Sequence, residues 1–241
     1  IMFGKKDMNN YLVKNFPLAV RSEWMINEKT AKATKETLPD ILAFGKSGGA
    51  DDGEVFSQSP VWDLIDEPLQ ETYTLPLFKP EFCEMLLNEV ENMKLYFDFT
   101  PNEDEDELRQ IPEIVLEEYA PDIFLSMMSV VYSVMNPVFM VLWQRYIETA
   151  YSIQIANYNL ENKQQGAWHH DQTSDISVVV PLNTNGYKGG GTQFMGRGTV
   201  EPLPSGHALI FPSFTHMHRG LAVDEGDRYL LVFWLKTAIP T

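Results

Sequence analysis

Cysteine is almost missing from this chain. Cys83 is the single one in 241 residues, so no intramolecular disulfide can form, and the usage fits a reducing interior. Basic residues are also scarce, with 18 Lys and Arg against 34 Asp and Glu, a formal net charge of −16 and an isoelectric point near 4.6. A surface of that sign argues against binding a nucleic-acid backbone or an anionic membrane. It is compatible with a basic, lysine-bearing partner, although acidity of this kind more often reflects a soluble surface alone. Internal repeats are absent. The GKSGG at 45–49 lacks the upstream glycine and following helix of a phosphate-binding loop. The acidic run from Thr100 to Glu107 lacks the spacing and glycine of a calcium loop, and reads as a solvated loop. The first residues, Ile1 to Lys6, carry no long apolar run, from which a soluble, cytoplasmic location is expected. Only one stretch is apolar enough to raise the question of a membrane. Ile123 to Tyr146 has Arg145 as its sole charge, but Asn136-Pro137 interrupts it, and buried helices are the expectation.

What the chain does have is β-patterning over its second half. Tyr151–Tyr158 alternates and is rich in β-formers. Ile176–Leu182 reads as a buried strand, with Pro181 marking its end or a sheet edge. Gly198–Pro204 reads as strand and turn. His207–Phe211 reads as a short strand stopped by Pro212. Arg228–Leu235 is an apolar strand that has to be covered on both faces. The triple glycine at 189–191 reads as a place where backbone comes close to a neighbour. Short strands punctuated by Gly and Pro indicate a sandwich or a barrel, of which the jelly roll is one closure. Before them, Phe78–Tyr96 reads as an amphipathic helix started near Pro80, with Cys83 a small buried residue on it. Asn10–Ala33 reads as holding a short helix, and Phe44–Pro60 reads as loop or linker.

The histidines carry the chemistry. His169 and Asp171 form an H-x-D pair on one face of an extended segment, with His170 pointing away. A third ligand from the region of His216 and His218 would complete a 2-His-1-carboxylate set, which holds one divalent iron and leaves coordination positions open for a co-substrate and dioxygen. Strand period cannot choose between His216 and His218, since both share a face. The ten-residue spacing to Arg228 favours His218. His207 and His216 are then structural or supporting residues. Arg228 is placed to hold a carboxylate of the co-substrate by a charge-assisted bond.

These residues resemble the catalytic region of the procollagen lysyl hydroxylases and, more loosely, the prolyl 4-hydroxylases. LPLFKPEFCEMLLNEVEN (75–92), IANYNLENKQQGAWHHD (155–171), VVPLN (179–183), YKGGGTQF (187–194) and FTHMHRGLAVDEGDRYLLVFW (214–234) follow one another in family order. The resemblance covers roughly residues 60–236. It implies a mainly β protein with flanking helices (α+β), built on a double-stranded β-helix (jelly-roll, cupin-like) core with an N-terminal helical extension. It implies iron ligands at His169, Asp171 and His218, and Arg228 on the far carboxylate of 2-oxoglutarate. Tyr158 matches a tyrosine that helps hold that carboxylate, a core aromatic being the alternative. The implied reaction is hydroxylation of a C–H bond with conversion of 2-oxoglutarate to succinate and carbon dioxide, with ascorbate as reductant. The loop between Asp171 and Asn183 departs from the pattern by about one residue, around Gln172 and Asp175.

The expected organisation is an N-terminal extension over 1–60 and an oxygenase domain over 61–241, with helical support at 78–147 and a jelly-roll core at 151–236. The favoured substrate is peptidyl lysine in a collagen-like or extended chain, acted on by a microbial or viral enzyme. A prolyl hydroxylase, a hydroxylase of a free amino acid or small metabolite, and a cupin-like module that binds without turnover are the alternatives. A homodimer is in keeping with the family, with Phe214 the residue expected at its contact, a core role for Phe214 being the alternative.

Overall fold

The computed structural model describes residues 22–46, 54–94, 100–101, 112–161 and 165–240. The long helix is not where the apolar pattern points. After a single turn, α1 (Ser22–Met25), comes α2 (Glu28–Lys46), which runs past the Phe44 boundary where the sequence reads as loop. Its inward face is mainly Thr30, Ala33, Thr34 and Thr37. The Thr34 and Thr37 hydroxyls donate back to the carbonyls of Thr30 and Ala33, four residues earlier, which lets polar side chains be buried without loss. Phe44 at its end packs on Phe56 at 5.3 Å.

A hairpin follows, β1 (Asp66–Leu69) and β2 (Thr72–Pro76), and then α3 (Pro80–Met93). Pro80 sits in the first turn of α3, where its missing N–H costs nothing. Phe82, Cys83, Leu86 and Val90 line the buried face of that helix. Two short strands, β3 (Thr100–Pro101) and β4 (Pro112–Val115), lead through α4 (Leu116–Tyr119) into a helical run made of α5 (Pro121–Val130), a π turn over Val131–Met135, and α6 (Asn136–Trp143). Pro137 does not break this run. The widened turn immediately before it accommodates the carbonyl that the proline ring cannot bond. By length and composition Pro121–Trp143 could cross a membrane, but 56% of its most apolar window is buried against the rest of the chain. Ile123, Met127, Val130, Val138 and Phe139 belong to the same core as the sheet.

The remaining strands are β5 (Tyr146–Tyr158), β6 (Ile176–Pro181), β7 (Tyr187–Gly189), β8 (Thr192–Phe194), β9 (Gly198–Val200), β10 (His207–Pro212), β11 (His218–Gly220), β12 (Val223–Gly226) and β13 (Arg228–Ala238). They form a jelly roll. Its major sheet has the order β1-β2-β10-β6-β13-β5-β4-β3, and the opposing strands pair as β11-β8-β9 and β12-β7. Pro181 lies at the end of β6 inside the major sheet, not at an edge. Among the described pairs, Leu230 stands opposite it.

Alternation along the central strands divides the sheet into two faces. Ile153 and Ile155, Val178 and Val180, and Leu231, Phe233 and Leu235 join the large core under the helices. Their neighbours Gln154, Ala156 and Tyr158, Val179, and Arg228, Leu230, Val232 and Trp234 face the inside of the roll. The long apolar strand at the end of the chain is therefore covered on both sides, by helices on one and by the smaller sheets on the other.

The loop flagged around Gln172 and Asp175 has a structural role. The Asp175 carboxylate accepts from the Thr237 backbone N–H at 2.8 Å, and its own backbone N–H donates to the Leu235 carbonyl at 2.9 Å. It ties the end of β13 to the start of β6. The acidic run beyond Pro101, residues 1–21, and 162–164 in the connection after β5 fall outside the described residues.

Candidate metal and co-substrate site

His169 and His218 face each other across an antiparallel bridge. The N–H of each donates to the carbonyl of the other, at 3.0 and 2.9 Å. This reciprocal pairing fixes the two rings side by side, with centroids 4.4 Å apart. The His169 Nδ1 lies 2.8 Å from the Ala167 carbonyl, and the His218 Nδ1 lies 2.9 Å from the His216 carbonyl. A carbonyl only accepts, so in both rings Nδ1 carries the proton and Nε2 presents a lone pair. Both Nε2 atoms turn toward Asp171, at 3.4 Å from Oδ1 for His169 and 3.7 Å from Oδ2 for His218. The three donor atoms all lie within 4.8 Å of one another.

The electrostatics suit a cation. Burial pushes the His218 imidazole down to about 4, so it is neutral at physiological pH. Burial alone would raise the Asp171 carboxyl, but the two histidines and the Ser177 hydroxyl outweigh it and hold the group below its ordinary value. The result is an ionised carboxylate and two imidazoles converging on a point, the donor set of a 2-His-1-carboxylate iron centre. His216 shares the strand face but not the site. It is buried, with its Nε2 3.3 Å from the Gln70 carbonyl. The geometry thus groups His218, and not His216, with His169 and Asp171. His170 turns away and stacks on Phe214, with centroids 6.2 Å apart. Phe214 is 67% exposed, which removes the core reading of that residue.

A cavity of about 510 Å³ runs from this cluster into the roll. Its walls include Ala156, Val179, Leu230 and Val232, with Gln154 and Trp234 toward one end and Arg228 and Tyr158 toward the other. Arg228 is only 4% exposed, and its Nε and Nη1 have no hydrogen-bond partner among the described residues. Burial lowers the affinity of its guanidinium for a proton. Buried unpaired donors of this kind are rare in folded proteins and mark a place that a ligand completes. The Tyr158 ring lies 5.7 Å from the guanidinium carbon, and burial pushes its hydroxyl up to about 12, which keeps the phenol protonated.

The structure therefore gathers all five residues singled out from the sequence into one cavity: His169, Asp171, His218, Arg228 and Tyr158. It also brings in two that sequence reasoning missed. Ser177, fully buried, donates to Asp171 Oδ2. Tyr187 places a buried hydroxyl with no described partner beside Arg228. Ser177 was legible only as a polar interruption in an otherwise apolar strand, and Tyr187 only by its place just before the triple glycine.

A jelly roll with two histidines and a carboxylate converging in its interior, and a buried unpaired arginine lining the same cavity, is an arrangement able to hold a divalent metal beside an anionic ligand. Comparison with known proteins agrees. The chain is 26% identical over 182 residues to a multifunctional procollagen lysine hydroxylase and glycosyltransferase of Caenorhabditis elegans, a match covering 71% of this chain and 25% of that protein. It is 22% identical over 184 residues to human procollagen-lysine,2-oxoglutarate 5-dioxygenase 2, covering 72% of this chain and 24% of the relative. The chain thus spans about a quarter of the length of these curated relatives. Among solved structures, a 2OG-Fe(II) oxygenase family oxidoreductase from Burkholderia pseudomallei superposes with a TM-score of 0.50 at 15% identity, over 69% of this chain and 85% of that one. A Pseudomonas putida prolyl-4-hydroxylase gives 0.50 at 18% identity, over 69% and 92%. No protein-family model matches the chain. The chain has the fold of the 2OG-Fe(II) oxygenases and is similar in sequence, over about 70% of its length, to procollagen lysyl hydroxylases.

Proposed function

We propose that this chain is an iron(II)- and 2-oxoglutarate-dependent dioxygenase that hydroxylates a peptidyl residue, with lysine in a collagen-like or otherwise extended chain as the favoured target. The observation that carries the reading is the convergence of the His169–Asp171–His218 donor set and the unpaired Arg228 guanidinium in one cavity. A cupin-like binder has no need for a buried cation opposite its metal ligands. The extent of the described roll supports treating 61–241 as the oxygenase unit, with 1–60 as an N-terminal extension. Ascorbate as reductant, a cytoplasmic location and a homodimer with exposed Phe214 at its contact complete the proposal.

The residues present fit both groups. His169, Asp171 and His218 would hold the iron, and Arg228 with Tyr158 would take the far carboxylate of 2-oxoglutarate. When bound with dioxygen, iron and 2-oxoglutarate supply the oxidising power for insertion into an unactivated C–H bond, with release of succinate and carbon dioxide. The protein contributes position and environment. The carbonyls of Ala167 and His216 hold the imidazole tautomers so that no proton competes at Nε2. Arg228 keeps its charge in a nearly dry setting, where a carboxylate is bound more strongly than in water. The apolar walls at Ala156, Val179, Leu230 and Val232 keep water from the reacting centre.

The test is mass spectrometry of peptides with Gly-X-Lys and Gly-X-Pro repeats, plus free lysine and proline, incubated with iron(II), ascorbate and 2-oxoglutarate while succinate is followed. A one-oxygen gain on peptidyl lysine is the expected result. Gain on proline moves the target to the prolyl branch. Modification of the free amino acids alone rejects a peptidyl substrate. Iron binding without succinate rejects the enzyme reading.

A further inference from the structure

We infer that Tyr187 is a binding residue for the far carboxylate of a five-carbon 2-oxo dicarboxylic acid, sharing that group with Arg228. The inference rests on the oxygenase reading above and adds a residue to it.

Two short strands bring Tyr187 to the site. It stands opposite Gly226 in the β7–β12 pair, and β12 is followed almost at once by Arg228, the first residue of β13. This long-range antiparallel pairing therefore delivers the phenol to the arginine from across 41 positions of sequence. Gly190 makes room between them. It has a φ of +81°, and a Cβ there would meet Arg228 Cδ at 3.1 Å and Tyr187 Cε2 at 3.2 Å. A glycine with positive φ is the residue that tolerates this conformation and this crowding together.

Three buried donor atoms then lie together without described partners: Arg228 Nε, Arg228 Nη1 and the Tyr187 hydroxyl. The tyrosine lies close enough to favour the charged guanidinium, while its hydroxyl and the guanidinium Nε and Nη1 are each left without a partner in good hydrogen-bond geometry. Both residues line a cavity of about 280 Å³ that also touches Thr192 and Leu230. Those two residues and Arg228 line the larger cavity that holds the metal ligands as well. A carboxylate entering this cluster can accept a charge-assisted bond from the guanidinium and a second from the phenol. Tyr158 differs in kind, because it turns its ring toward the guanidinium carbon while Tyr187 contributes an unpaired hydroxyl.

The experiment is anaerobic titration of the iron(II)-loaded protein, wild type and Tyr187→Phe, with 2-oxoglutarate and separately with 2-oxopentanoate. The second ligand keeps the 2-oxo acid end and ends in a methyl group where the far carboxylate would be. Binding is read by calorimetry and by the iron-to-ligand charge-transfer absorption. The substitution keeps the ring and removes only the hydroxyl. The expected result is a loss of about tenfold in 2-oxoglutarate affinity, the scale of one hydrogen bond to a charged group, with 2-oxopentanoate unchanged. Equal losses for both ligands would show a packing role and overturn the inference. An unchanged 2-oxoglutarate affinity would also overturn it, while wild-type binding left the oxygenase reading standing. Absence of 2-oxoglutarate binding by the wild type would remove both.

Discussion

The Ser177 hydroxyl donates its hydrogen bond to Oδ2 of Asp171, the carboxylate set between the two histidines. Behind it Ser177 meets Ser213 at 2.8 Å, and Ser174 donates to the same Ser213 oxygen at 2.8 Å. Ser174, Ser177 and Ser213 are all buried. This chain of hydroxyls fixes the plane of the carboxylate, so Ser177 acts as a positioning residue. Partners of metal ligands typically contribute about 10–100-fold to metal affinity. Ser177→Ala is accordingly expected to weaken iron(II) by about that factor in anaerobic titration, while Ser177→Thr restores most of it. Equal iron affinity for Ser177→Ala and wild type would show that the backbone alone places Asp171.

The two neighbouring histidines should separate cleanly. His218 turns a neutral Nε2 to the site, whereas His216 supplies a backbone carbonyl to it and spends its ring near Gln70. His218→Ala is expected to lose stoichiometric iron with little change in the melting temperature of the metal-free protein relative to the loss in His216→Ala. His216→Ala is expected to keep one iron per chain but melt several degrees lower, since it removes a buried ring packed against Phe194 and Phe211. Metal analysis and thermal unfolding on both variants decide the point. Loss of iron from His216→Ala at full folding would reverse the ligand assignment.

Much of the site was legible because its information is local. His169 and Asp171 are two apart, and period two alone puts them on one face. The central strands were legible for the same reason, being both β-rich and apolar. What escaped is what depends on contact between distant segments. His216 and His218 obey the same period, and only the reciprocal bridge to His169 distinguishes them. Tyr187 meets Arg228 through the long-range pairing of β7 with β12, which no local pattern announces. Helix α2 was missed for another reason. Its buried face is mainly threonine and alanine, and Pro39 lies within it, so neither hydrophobic period nor propensity reports it. The β1–β2 hairpin is short, and the burial pattern of β1 shows no inward apolar face.

Cys83 gives a prediction about pH. Burial pushes its thiol up from 9.0 to about 11. The fold therefore favours the neutral thiol, and the stability this group contributes is fully present below its unfolded value and is lost as pH rises from about 9 toward 11. Only the thiolate is nucleophilic. At pH 8 iodoacetamide is expected to label Cys83 at least about tenfold more slowly in the native protein than in urea, and labelling in the native state is expected to accelerate above pH 9. Comparable rates in both states at pH 8 would show that the helix face carrying Cys83 is open to solvent.

Arg219 and Trp168 clamp the ligand bridge from its outer side. Each is the sequence neighbour of a histidine in that bridge, so alternation turns both away from the cavity. The Arg219 guanidinium carbon lies 4.7 Å from the Trp168 ring centroid, and its Nε donates to Gln193 Oε1 at 2.9 Å. Gln193 stands opposite Arg219 in the β8–β11 pair. A partly exposed cation–π contact is worth about 0.5–1 kcal/mol, far less than direct ligation. Arg219→Ala is therefore expected to weaken iron(II) by less than about tenfold and to speed its release to a chelator, with a melting temperature lowered by a few degrees. Arg219→Lys keeps a cation but loses the planar stack, and should fall between the two. If Arg219→Ala instead lost iron as completely as His218→Ala while remaining folded, the arginine would have to be assigned to the site itself, because a clamp acting only through the bridge cannot cost more than the ligand it holds.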